Sequence, residues 1–287
     1  MQFHWRIQGQ DHDLTRRGMV MGIVNVTPDS FSDGGRYLDT GRAVEHALSM
    51  VEEGADILDI GGESTRPGAD PVDEAEELKR VLPVIRAVRS TTRTLISIDT
   101  MKASVARAAL DAGASIINDV TGLRADPAMI RLAADSQAGL VVMHMIGTPR
   151  TMQQQAEYED VVADVKRYFE ERHRVLSDQG IDPARIVWDP GFGFAKTLEH
   201  NLALMNALPD LAVHGRPVLV GVSRKTMISR LLESDDVADR DWPTVALTSQ
   251  ARELGARIVR VHQVQPNVHA IRMTEAILGG FEKAAGS

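Results

Sequence analysis

No cysteine occurs among the 287 residues, so disulfides, thiolate metal ligation and cysteine nucleophiles are excluded. No apolar run approaches the ~18 residues of a bilayer-spanning helix. The N-terminal MQFHWRIQGQDHDLTRR carries charges where a secretion signal needs an apolar stretch, which points to the cytoplasm. Basic charge is not in excess. The 40 acidic side chains outnumber the 32 basic ones for a formal net charge of −8, which argues against a bulk electrostatic grip on nucleic acid or an acidic membrane. There is no linker rich in Pro, Gly or Ser, no low-complexity segment and no block of one charge. H-E-x-x-H and H-x-H pairs are also missing, so no permanent transition-metal site is expected. What remains is a chain with 43% hydrophobic residues, too apolar for disorder and long enough to bury a large core.

Short apolar runs alternate with helix-like segments. The runs are GIVN (22–25), DILD (56–59), LISID (95–99), SIIN (115–118), LVVMH (140–144), RIVWD (185–189), PVLVGVS (217–223) and RIVRVH (257–262). Apolar stripes at helical spacing mark 39–55, 72–90 (with Pro83 inside), 102–114, 127–139, 159–180 and 243–256. Strand–helix alternation implies a parallel sheet with helical crossovers, and eight such units suggest a closed (β/α)8 TIM barrel. We read residues 1–287 as one α/β domain, with 1–18 a hairpin-like extension closing the barrel floor and 19–280 the barrel.

Each run finishes in a polar side chain: Asn25, Asp59, Asp99, Asn118, His144, Asp189, Ser223 and His262. An open doubly wound sheet gathers its site at one switch point, whereas a barrel brings all its strand ends to one mouth. Eight polar ends therefore favour the barrel. Two loops add to this. N-V-T-P-D-S-F-S-D-G-G (25–35) and G-G-E-S-T-R-P-G-A (61–69) are too long and too polar for simple connectors and read as segments holding polar groups over the mouth. Other patterns fail on inspection. G-F-G-F-A-K (191–196) lacks a dinucleotide turn's context, and G-V-S-R-K-T (221–226) lacks the glycine before the P-loop lysine.

These loops, with I-S-I-D-T (96–100), I-I-N-D-V (116–120), M-H-M-I-G-T-P-R-T-M-Q (143–153), D-P-G-F-G-F (189–194), V-G-V-S-R-K-T-M-I (220–228) and R-V-H (260–262), resemble the dihydropteroate synthase family from about Met21 to Arg272. The resemblance implies condensation of 6-hydroxymethyl-7,8-dihydropterin diphosphate with p-aminobenzoate, giving 7,8-dihydropteroate and pyrophosphate with Mg²⁺ assisting. It assigns the pterin to Asp99, Asn118, Met143, Asp189, Phe194 and Lys225. A carboxylate suits the paired N–H donors of a pterin edge, and a carboxamide suits a mixed edge. The diphosphate falls to Asn25, Arg260 and His262, and Mg²⁺ to Asn25, with Asp33 as a further oxygen donor. Thr65, Arg66, Pro67 and Thr226 form the expected p-aminobenzoate site, which sulfonamides would share. Asp99, Lys225 and Asp33 are the expected catalytic residues, with Lys225 neutralising part of a carboxylate cluster of Asp59, Asp99 and Asp189. A homodimer is the further implication.

Three departures from the family pattern stand out: Gln263 for the usual Asp, Ala195 for the usual Gly, and Arg240-Asp241-Trp242-Pro243-Thr244 at the start of a helix. None removes an assigned residue. Rival readings are a non-catalytic pterin-binding paralogue and a methyltetrahydrofolate:corrinoid methyltransferase. The latter shares the pocket but lacks the two loop motifs.

Overall fold

A computed structural model describes residues 2–27, 36–64, 68–147, 152 and 156–280. The chain opens with an antiparallel hairpin, β1 (His4–Ile7) and β2 (Gln10–Asp13). Eight parallel strands follow: β3 (Met19–Asn25), β4 (Ile57–Gly61), β5 (Leu95–Asp99), β6 (Ile116–Asp119), β7 (Gly139–Met143), β8 (Ile186–Asp189), β9 (Leu219–Val220) and β10 (Ile258–Val261). Their order is β8-β7-β6-β5-β4-β3-β10-β9. The cylinder closes where Trp188 bridges Val218 and the Trp188 N–H donates to the Pro217 carbonyl at 2.9 Å. The expected (β/α)8 barrel with its N-terminal hairpin is the observed architecture.

Helices α1 (Arg36–Glu52), α2 (Glu74–Thr91), α3 (Ala103–Asp111), α4 (Pro127–Asp135), α5 (Val161–Asp178), α6 (Leu198–Asn206), α7 (Thr226–Leu232), α8 (Asp241–Glu253) and α9 (Val264–Glu275) surround the strands. Their starts are written locally. Asp73, Asp126 and Asp160 cap α2, α4 and α5 by accepting first-turn N–H groups, and Pro127 stands at the first position of α4. Thr197 and His200 close a capping box on α6. Stripe reading missed α6, α7 and α9. No helix among the described residues is long and apolar enough to cross a membrane.

The strands' period of two sorts side chains between two cores. Leu58, Ile60, Ile96, Ile98, Ile117, Leu140 and Val142 face outward and pack beneath the helices. Met21, Ile57, Ile116, Val141, Val187, Leu219 and Ile258 face inward and form an apolar lower layer with Phe3, Trp5, Ile7 and Leu14 of the N-terminal segment. Trp5 Nε1 donates to the Arg185 carbonyl at 2.8 Å, so the hairpin plugs the floor with no buried N–H left over. Two residues further along, the inward positions turn polar on four strands, at Asp59 of β4, Asn118 of β6, Asp189 of β8 and Arg260 of β10. A sealed floor leaves the C-terminal end as the open face.

Candidate active site

Inward-facing polar residues converge at that end. A cleft there is lined by Asp99, Asn118, Val120, Met143, Asp189, Gly191, Phe192, Phe194, Gly221, Lys225 and Arg260. All six residues assigned to the pterin line it, and so does Arg260. Val120, Gly191, Phe192 and Gly221 were not singled out from sequence. All four stand inside quoted motifs, and only the folding of the chain turns them toward the mouth.

Three strand ends lie one residue from the reading above, at Asp119, Met143 and Val261, and two differ by more. β4 continues to Gly61, so Asp59 sits one layer down in the barrel, fully buried, opposite Ser97 in the β4–β5 register. β9 stops at Val220, leaving Ser223 in the turn beyond. From there Ser223 Oγ accepts the His262 N–H at 3.2 Å and lies 2.9 Å from His262 Nδ1.

Arg260 holds the centre. Its Nε donates to Asp59 Oδ2 at 2.6 Å and its Nη2 to Asp99 Oδ2 at 2.8 Å. Asn118 Nδ2 adds a bond to Asp59 Oδ2 at 3.0 Å. The cation between Asp59 and Asp99 is therefore Arg260, whose Nε and Nη2 each reach one carboxylate, and Lys225 answers the remaining member of the cluster, Asp189. Lys225 faces Asp189 electrostatically and places its Nζ 4.0 Å from the centroid of the Phe194 ring. Asp59 Oδ1 and Ser97 Oγ are buried with no hydrogen-bond partner among the described residues.

Burial dominates the electrostatics. It pushes the Asp99 carboxyl up to about 7, with Arg260 pulling the other way and Asp59, Glu77 and Asp119 reinforcing it. Burial also raises Asp189, opposed by the Gly191 N–H on its Oδ1 (2.7 Å) and by Lys225, Arg260 and Lys196. Arg260 stays firmly charged: burial acts to lower it, but Asp59 and Asp99 outweigh that. Two carboxylates with raised values beside fixed cations make a site suited to accepting N–H donors and to steadying positive charge.

Other assigned residues lie nearby or elsewhere. Asn25 ends β3, half-buried and paired with Gly61 of β4. Thr226 opens α7 and is exposed. Asp33, Thr65, Arg66 and Pro67 lie outside the described residues. Two of the three departures meet: Gln263 Nε2 donates to Asp241 Oδ2 at 2.8 Å, and the same carboxylate takes Arg224 through Nε (2.6 Å) and Nη2 (3.0 Å). An amide at 263 suits this contact because a second carboxylate there would repel Asp241. Ala195 is buried at φ 49°, a left-handed backbone that costs an alanine about 1 kcal/mol.

Comparison with known proteins gives this site a family. The sequence profile described as "Pterin binding enzyme" matches residues 21–262. A dihydropteroate synthase of Mycobacterium leprae is 47% identical over 265 residues, covering 90% of this chain and 93% of that protein. The structure of Xanthomonas albilineans dihydropteroate synthase with 4-aminobenzoic acid superposes with a TM-score of 0.90 at 44% identity, covering 97% of this chain and 99% of that one. A Yersinia pestis dihydropteroate synthase solved as a sulfonamide drug complex gives a TM-score of 0.90 at 41% identity, over 96% and 100% of the two chains. The chain belongs to the pterin binding enzymes. Within that family, the relatives it matches at these identities are dihydropteroate synthases.

Proposed function

We propose that this protein is a transferase of folate biosynthesis with dihydropteroate synthase activity. It would join the C6 methylene of 6-hydroxymethyl-7,8-dihydropterin diphosphate to the amine of p-aminobenzoate. The C–O bond to the diphosphate breaks, a C–N bond forms, and the amine gives up a proton to solvent as pyrophosphate leaves. The observation that carries this reading is the cleft where Asp99, Asn118 and Asp189 face inward beside Arg260 and Lys225.

A pterin's adjacent N–H donors match Asp189, and its mixed edge matches Asn118. Met143 and Phe194 supply apolar walls for the ring. The arylamine needs no strong base because it is unprotonated at neutral pH. The harder task is expelling pyrophosphate, and we favour a dissociative route in which the pterin bears the developing positive charge. Asp99 is placed to steady that charge once ionised, with Lys225 and Asp33 as the further catalytic candidates. Asn25, Arg260 and His262 take the diphosphate in this reading, and Thr65, Arg66, Pro67 and Thr226 take p-aminobenzoate or a sulfonamide.

Mg²⁺ fits the donor set. It prefers oxygen ligands, keeps waters and is commonly held by one or two protein groups plus substrate phosphates. Among the described residues no three His, Cys, Asp or Glu side chains gather as metal ligands, while the Asn25 carboxamide ends β3 at the mouth. When bound, the ion would neutralise charge on the leaving diphosphate.

The same reading places the protein in the cytoplasm, in keeping with its lack of cysteine, and makes it a homodimer. Leu231, Leu232, Trp242, Met273, Ile277 and Leu278 are exposed along α7 to α9 and the turn after it, and a second copy is the partner we assign to them.

The deciding experiment is pyrophosphate release from the purified protein. Release should require both substrates and rise with Mg²⁺. Binding of a bare pterin with no release when both substrates are present would instead establish a non-catalytic pterin-binding protein.

A further inference from the structure

Lys196 is a charged residue that the reaction above leaves without a role. It is buried on the turn between β8 and α6. A lysine is almost never fully buried unless it is paired. Its Nζ donates to the Phe194 carbonyl at 3.0 Å, and it lies 3.1 Å from His144 Nδ1 and 3.4 Å from the His144 carbonyl. Burial, reinforced by Lys196 and Arg124, pushes His144 down to about 2, so its ring is neutral and Nδ1 accepts. One ammonium thus ties the turn that carries Phe192 and Phe194 to His144, the first residue after β7 and next to Met143. These are the back walls of the cleft.

The charged groups facing Lys196 are Asp189 at the end of β8 and Lys225 before α7. Asp189 in turn faces Lys225, Arg260 and Lys196, which together oppose the effect of its burial. Lys225 and Arg260 line the cleft itself. Lys196 acts from behind, through the protein, and water does not screen it there.

We propose that Lys196 is a positioning residue of the pterin subsite. Its ammonium holds the Phe194 carbonyl and the end of β7 together, and it supplies positive charge that keeps Asp189 ionised as an acceptor for pterin N–H groups. This rests on the assignment of Asp189 to the pterin, and the test separates the two ideas.

Burial draws Lys196 down to about 7, with Asp189 pulling up and Lys225 pulling down. Near neutrality, therefore, the charge that favours pterin binding is lost as pH rises. Lys196→Met keeps the apolar stem and removes the charge. Calorimetric binding of a dihydropterin lacking the diphosphate should be roughly ten-fold weaker than wild type at about pH 6, and the two proteins should converge by about pH 9. Ionisation of the ligand cancels in that ratio. A ratio constant across this range would mean that Lys196 only packs, and would overturn the proposal.

Should the variant not fold, lysines carrying a carbon label at Cε report on the wild type. A lysine titrating near neutrality should move up by roughly one unit when the dihydropterin binds, because linkage is reciprocal. An unmoved midpoint is the contrary result. Asp189→Ala is run alongside. If it binds the dihydropterin as tightly as wild type, the pterin assignment itself falls, and this proposal with it. If it binds weakly while the Lys196→Met ratio stays flat, the role of Lys196 alone is refuted.

Discussion

The residues that matter most sit in one polar layer of the barrel, and their behaviour follows from having little water. Asp99 has its carboxyl raised to about 7 by burial, so it is protonated below that pH and ionised above it. If the carboxylate steadies the reacting pterin, kcat/KM should fall on acidification through about pH 7 and level off above it, since that parameter reports free-enzyme ionisations. Asp99→Asn should lose the acid limb along with most of the rate. A variant that stays slow but keeps the limb would assign it to another group. The stability sign is the opposite one. A carboxyl raised in the fold contributes stability in acid that is lost as pH rises through the folded value. Arg260 gives a second contrast. Removing it as Arg260→Met leaves Asp59 and Asp99 facing each other in the interior, a loss of about 3–5 kcal/mol in unfolding free energy. Bare-pterin binding should fall too, because Arg260 lines the same cleft. His262, half-buried on Ser223, should behave otherwise: His262→Ala weakens pyrophosphate binding while the denaturation midpoint and bare-pterin affinity hold.

Among whole elements, the connection from β4 to α2 shows how a barrel anchors a functional loop. Lys102, at the N-terminal end of α3, bonds Glu63 and reaches Glu77 Oε2 at 2.5 Å. Glu63 Oε1 accepts the Val72 N–H at 3.4 Å, and Arg80 Nη1 donates to the Gly62 carbonyl at 2.8 Å. Glu77 is fully buried on α2, and Lys102 is the cation that meets it there. Lys102→Met should cost about 3 kcal/mol or more in chemical denaturation, because it strands a buried carboxylate. A loss under 1 kcal/mol would show that the fold does not depend on this pairing. Helix α2 and strand β5 could be read from spacing alone. The ion cluster joining Glu63, Glu77 and Lys102 could not, because a lysine and two glutamates on a loop and two helices usually belong to solvent.

For the molecule as a whole, the apolar side chains left outside α7 to α9 test the assembly. Met273 and Ile277 are 66% and 78% exposed in the single chain. A double change, Met273→Asp with Ile277→Asp, should move the protein from dimer to monomer in sedimentation without changing its far-ultraviolet spectrum. A monomeric wild type would remove the dimer. The barrel itself was legible because strands and helices carry different periods, and because eight runs end in polar residues along the chain. The family motifs likewise stand in plain text, since chemistry at a strand end constrains several adjacent residues at once. Other features were decided by three-dimensional placement. One is the depth of Asp59, which depends on how far β4 continues before its loop. Another is Arg260 as the bridge between Asp59 and Asp99, reaching from β10 to the paired strands β4 and β5. The last is the burial of Lys196, which turns an ordinary lysine into an internal charge. Sequence alone determined which groups the protein carries and the order in which they occur. Tertiary structure decided which groups share a dry interior, and a carboxylate or ammonium takes its ionisation and strength from that dielectric and from its partners, not from its neighbours along the chain.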